Sequence, residues 1–103
     1  MSACSGALVI NALFWADAAV AQSRAGLALV EQHCAMCHAV RKSGRSPHPA
    51  APPFRTIGAI YNLDEFTELL EKGIVAGHPD MPSFKFSRGD ASAVTSYLRS
   101  IQN

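Results

Sequence analysis

Apolar residues recur at helical spacing in three stretches of this chain. Leu27, Val30 and Cys34 fall at i, i+3, i+7, one face of a helix expected over 24–33 with Ser23 as its cap. Phe66, Leu69 and Leu70 form the inward side of a second helix, with Glu65, Glu68, Glu71 and Lys72 outward. Asn62 or Asp64 caps it and Gly73 stops it. Val94, Tyr97, Leu98 and Ile101, at i, i+3, i+4, i+7, are the inward stripe of a last helix starting at Ser87, where Asp90 completes a capping-box pattern. A short helical turn is expected over 54–60. Gly26 sits inside the first helix at a cost of about 1 kcal/mol against alanine. Close helix contact explains it; simple tolerance is the alternative.

Two stretches between these helices cannot be regular. Pro47, Pro49, Pro52 and Pro53 forbid helix or central strand in the loop that ends at Phe54. Residues 77–84 form a second loop in which Pro79 and Pro82 flank Met81. There are no internal repeats, no low-complexity segment and no convincing strand, so the class is all-α.

The N-terminus reads differently. Residues 7–16 are an apolar run, and Ala19-Val20-Ala21 is a small-residue cleavage site. Residues 1–21 are therefore expected to be a secretory signal, leaving one domain over 22–103. No Lys or Arg precedes the run, and Asp17 interrupts its end. A membrane anchor would need about 20 apolar residues, and Asn11 and Asp17 leave too few. An uncleaved signal anchor is the rival. Cys4 leaves with the signal, so the mature chain keeps only Cys34 and Cys37 and has no disulfide framework. Its 82 residues are few for an unaided core, and chains of that size commonly need a staple.

Charge narrows the partners. Residues 22–103 hold nine Lys plus Arg and seven Asp plus Glu, a formal +2, which argues against a nucleic-acid binder. Arg41, Lys42 and Arg45 cluster after the second cysteine. They are a solvated loop face, or a collar that speeds encounter with an acidic partner.

The chemistry lies in Cys34-Ala35-Met36-Cys37-His38. C-x-x-C-H is the attachment signature of c-type haem. Cysteines three apart share a helical face and can bond the two vinyl groups along one porphyrin edge, and the next residue offers an imidazole to iron. A thioredoxin-like pair is expected near a βαβ pattern, absent here. A zinc site needs a fourth ligand, and a structural disulfide has no use for the histidine. A covalently held macrocycle would be the staple this short chain lacks. The proline-rich loop that follows can present a backbone carbonyl to the other nitrogen of His38.

For the second axial position the candidate is Met81, 43 residues beyond His38 in a stiff loop. Thioether sulfur raises the reduction potential. Core filling is the bland reading of a lone methionine. Met36, between the anchoring cysteines, cannot bend back. His78 is the rival ligand, and an open sixth site is the third option. His33 and His48 read as exposed or hydrogen-bonded side chains.

Together these residues resemble a class I, mono-haem cytochrome c of the small bacterial periplasmic type, over nearly all of 22–103. Gly26-x-x-x-Val30-x-x-x-Cys34 matches the family's first helix, with valine where an aromatic residue is usual. Ala51-Pro52-Pro53-Phe54 resembles its glycine–proline segment, Met81-Pro82 its axial methionine loop, and Val94-x-x-Tyr97 its last helix. The resemblance implies three to four short helices around one covalently bound haem c (iron), with the terminal helices crossing near a right angle at Gly26. It implies cofactor binding by Cys34, Cys37, His38, Met81 and Pro52, with His38 and Met81 on the metal. Pro52's carbonyl accepts from His38, Pro53 being the alternative. Two departures follow. Val30 weakens the usual aromatic contact with Tyr97, and 22–103 contains no tryptophan for a haem propionate, leaving Arg55 and Tyr61 as weak candidates.

The function so implied is non-enzymatic: a periplasmic one-electron carrier, monomeric, meeting its donor and acceptor proteins through small transient interfaces. The alternatives are a haem subunit of a periplasmic dehydrogenase or oxidase complex, or a haem peroxidase or gas sensor if Met81 does not ligate.

Overall fold

The computed structural model describes residues 2–74 and 79–103. It contains three α-helices, α1 (Ser2–His33), α2 (Leu63–Lys72) and α3 (Arg88–Ile101), with a 3-10 helix at Phe54–Ala59 before α2. Among the described residues there is no strand, only an isolated antiparallel bridge between Ile74 and Phe84. The class is all-α, as the apolar periodicity predicts.

The largest departure is at the start of α1. No helix begins at Ser23; α1 runs through it unbroken from Ser2. A serine caps only where the chain before it leaves helical geometry. Residues 7–25 contain neither glycine nor proline to make it leave. Residues 17–22 are exposed, and Gly26 is the first buried position of α1 among the side chains described.

Gly26 is where α1 meets α3. A Cβ there would run into the Ala93 carbonyl and stand 2.8 Å from the Tyr97 Cβ. Close contact, not tolerance, is therefore the reason for the glycine. One turn on, Val30 is 1% exposed and shares the core cluster with Tyr97, Val94 and Leu98. The valine thus packs fully where a larger ring is usual. Tyr97 completes the junction by donating its hydroxyl to the Val40 carbonyl at 2.6 Å. α1 and α3 are thereby tied to the loop that follows the cysteines.

α2 is capped by Asn62 rather than Asp64. The Asn62 Oδ1 accepts from the amides of Asp64 at 2.9 Å and Glu65 at 3.3 Å. Asp64 and Glu65 stand in its first turn, where the helix dipole favours negative charge. Gly73, at φ 109°, ends it in a conformation that side chains resist. Phe66 and Leu70 are buried as expected, but Leu69 is 39% exposed. One residue is a 100° step around a helix, and only one of two consecutive leucines can point along the core axis. In α3 the Ser87 hydroxyl caps by accepting from the Asp90 amide at 3.1 Å. The C-terminus is pinned by Gln102, whose amide donates to the Phe54 carbonyl and accepts from the Gly58 amide, both at 2.8 Å.

Candidate functional site

The cysteine motif lies immediately past the end of α1. Backbone bonds coil it: the Cys34 amide donates to the Val30 carbonyl at 2.8 Å and the His38 amide to the Cys34 carbonyl at 2.9 Å. The motif therefore keeps helical-turn spacing without being regular helix, and its side chains stay together on one side. Cys34 and Cys37 are both free thiols. Burial pushes the Cys34 thiol up to about 11. A thiol so raised stays protonated near neutrality, unlike the low-pKa attacking cysteine of a thioredoxin-like pair. Nor do the motif residues form a zinc site. Among the described residues no three His, Cys, Asp or Glu side chains are grouped to hold a metal ion.

His38 is held from two sides. Its Nδ1 donates to the Pro52 carbonyl at 2.8 Å, which leaves Nε2 as the nitrogen with a free lone pair. Pro52, not Pro53, is the acceptor; the Pro53 carbonyl takes the Thr56 hydroxyl at 3.0 Å instead. The Phe54 ring lies 4.7 Å from the His38 ring, centre to centre. The Phe54 amide donates to the Ala39 carbonyl at 2.9 Å, closing the proline loop. The prolines keep this returning segment out of helix, and that presents the Pro52 carbonyl to the ring.

These groups open onto one cavity of about 610 Å³. Cys34, Cys37, His38, Pro52 and Met81 all line it. Its remaining walls are mostly apolar, among them Val30, Phe54, Ile57, Phe66, Leu70 and Val94. Volume and lining fall within the range of cofactor pockets, about 300–1,000 Å³ and largely hydrophobic. Two thiols on one turn, an imidazole with its tautomer fixed, and a thioether on another loop are a donor set suited to a covalently held haem. Met36, 89% exposed, stands at the rim. His78, the rival ligand, lies outside the described residues.

The loop carrying Met81 is closed at its base. The Ile74 amide donates to the Phe84 carbonyl and the Phe86 amide to the Leu70 carbonyl, both at 2.8 Å. His33, at the end of α1, meets Phe84 and Phe86 edge-on at 5.9 and 5.5 Å. The sequence reading missed this aromatic group. It also missed Asp80, beside Met81, which accepts from His48 Nε2 at 3.1 Å. The only signal was a histidine and an aspartate in two different proline loops.

The two propionate candidates separate. Tyr61 lines the cavity, but Arg55 does not; its guanidinium donates to the Gly44 carbonyl at 2.8 Å. The basic cluster is partly neutralised, since Arg41 pairs with Glu31. Lys42 and Arg45 are exposed. Among the described residues no helix is long and apolar enough to cross a membrane.

Comparison with known proteins gives a consistent result. Residues 23–102 match the model of the family described as Cytochrome c. The chain is similar to a cytochrome c-552 from Bradyrhizobium diazoefficiens, with 29% identity over 86 residues, 84% of this chain and 81% of the relative. No solved structure matches.

Proposed function

The chain belongs to the cytochrome c family, and on that premise we propose that it is a periplasmic one-electron carrier with His38 and Met81 as axial ligands. Haem c with its iron is the family's covalently bound cofactor and electron transfer its function. When bound, haem supplies a metal centre that accepts and returns a single electron. Every other part of the task falls to the chain. Cys34 and Cys37 hold the group through thioether bonds. His38 offers Nε2, its ring orientation fixed by the Pro52 carbonyl. Met81 offers a soft sulfur, which raises the potential. The apolar walls exclude water, so the surroundings change little when the charge does.

The observation that carries this reading is the convergence of Cys34, Cys37, His38, Pro52 and Met81 on one apolar cavity of about 610 Å³. With both axial positions filled, no site is left for a substrate, which favours a carrier over a peroxidase or gas sensor. The secretory signal, 1–21, agrees with assembly outside the cytoplasm. Of the segment it would remove, residues 17–21 are exposed.

Optical spectra of the purified protein test the ligation. The oxidised form should show the far-red methionine–iron charge-transfer band. Met81→Ala should abolish it, lower the reduction potential and open the metal to cyanide. An unchanged potential in that variant would remove Met81 from the ligand set. High-spin ferric protein that binds cyanide tightly without any mutation would favour the peroxidase or sensor.

A further inference from the structure

One loop follows His38 and another carries Met81, and among the described residues a side-chain pair joins them. The first loop contains His48; the second contains Asp80 and Met81. His48 is held through its backbone and through both ring nitrogens. Its amide donates to the Cys37 carbonyl at 3.0 Å, its Nδ1 accepts from the Ala50 amide at 3.1 Å, and its Nε2 reaches the Asp80 carboxylate at 3.1 Å. Since Nδ1 is an acceptor, the proton sits on Nε2 and is donated to Asp80. The imidazole is thus a rigid strut, held at its backbone by the segment that carries Cys37. Both residues line the cavity, and the His48 side chain is only 30% exposed.

We propose that His48 and Asp80 form a clasp that holds the Met81 loop shut over the cavity and so sets how readily Met81 leaves its ligating position. His48 and Asp80 are positioning residues in this scheme and touch no reacting atom. The proposal rests on the assignment of Met81 as ligand. The physical case is one of leverage. Asp80 is the immediate neighbour of Met81, so a bond at its carboxylate restrains the methionine backbone directly. The Ile74–Phe84 bridge closes the loop's base, and the clasp restrains it again next to the sulfur.

The test is the rate at which cyanide binds the ferric holoprotein, which requires Met81 to move away. His48→Ala and Asp80→Ala should each raise that rate constant about threefold to tenfold, the span expected for one partly exposed, charge-assisted hydrogen bond. The double variant should fall well short of the product of the two singles, because each removes the same bond. Asp80→Asn keeps an oxygen that accepts from Nε2 and should restore most of the slow rate. The far-red band should persist in all four, and hydrogen exchange of peptides covering 79–86 should quicken only where the bond is lost. Single variants within twofold of the unmodified rate, or a double variant equal to the product of the singles, would overturn the clasp while leaving Met81 as ligand. Absence of the far-red band from the unmodified protein would overturn the ligand assignment and the clasp with it.

Discussion

Tyr97 shows what one side chain does in a domain this small. Its ring packs at the α1–α3 junction beside Gly26, and its hydroxyl reaches the Val40 carbonyl. Removing the hydroxyl leaves that carbonyl buried without its donor, so Tyr97→Phe should cost about 1–2 kcal/mol in urea unfolding near neutral pH. Burial, above all, raises the Tyr97 pKa, with Glu31 adding to the rise and Arg41 opposing it. A raised folded-state pKa means the folded protein holds the proton more tightly than the unfolded chain. Stability from that group is complete below the ordinary tyrosine value, about 10, and is lost as the pH climbs past it. The difference between Tyr97→Phe and the unmodified protein should therefore shrink above that pH. Residue types alone pointed to Tyr97 as an inward position; its partner, 57 positions away, lies in a loop with no periodicity to read.

Elements were legible to the extent that their ends carry side-chain chemistry. α2 and α3 start at residues that cap them, Asn62 and Ser87. Asn62→Ala leaves two first-turn amides without an acceptor and should cost about 1 kcal/mol, seen as a lower urea midpoint with an unchanged slope. The start of α1 was misread for the complementary reason. Ser23 has the right chemistry, but a capping side chain cannot end a helix that nothing else interrupts, and α1 continues back to Ser2. If the signal is cut after Ala21, Ser23 falls near a true terminus and becomes free to cap. The mass of the exported protein decides the matter: a chain beginning at Gln22 is expected, and retention of 1–21 would favour the anchor.

At the scale of the whole molecule the interior is incomplete without its cofactor. A cavity of about 610 Å³ lined mostly by apolar side chains leaves those walls without the burial and packing partners that stabilise a core. A chain unable to retain haem should collapse or unfold rather than keep the hollow. Cys34→Ser with Cys37→Ser should yield no haem that survives acid extraction, and little helical circular dichroism. A stable, helical, colourless double variant would contradict this account of what fills the core.

Local sequence determined which segments are helical, where two of them begin, which cysteine turn carries the chemistry, and that the intervening loops are stiffened by proline. These follow from periodicity, capping and spacing, which act over a few residues. The tertiary structure decided which of two adjacent leucines is buried, why Gly26 must lack a side chain, which carbonyl His38 selects, and that His48 reaches across to Asp80. Each of those depends on distances between segments far apart in the chain, and those distances are set only when the helices pack around a shared cavity.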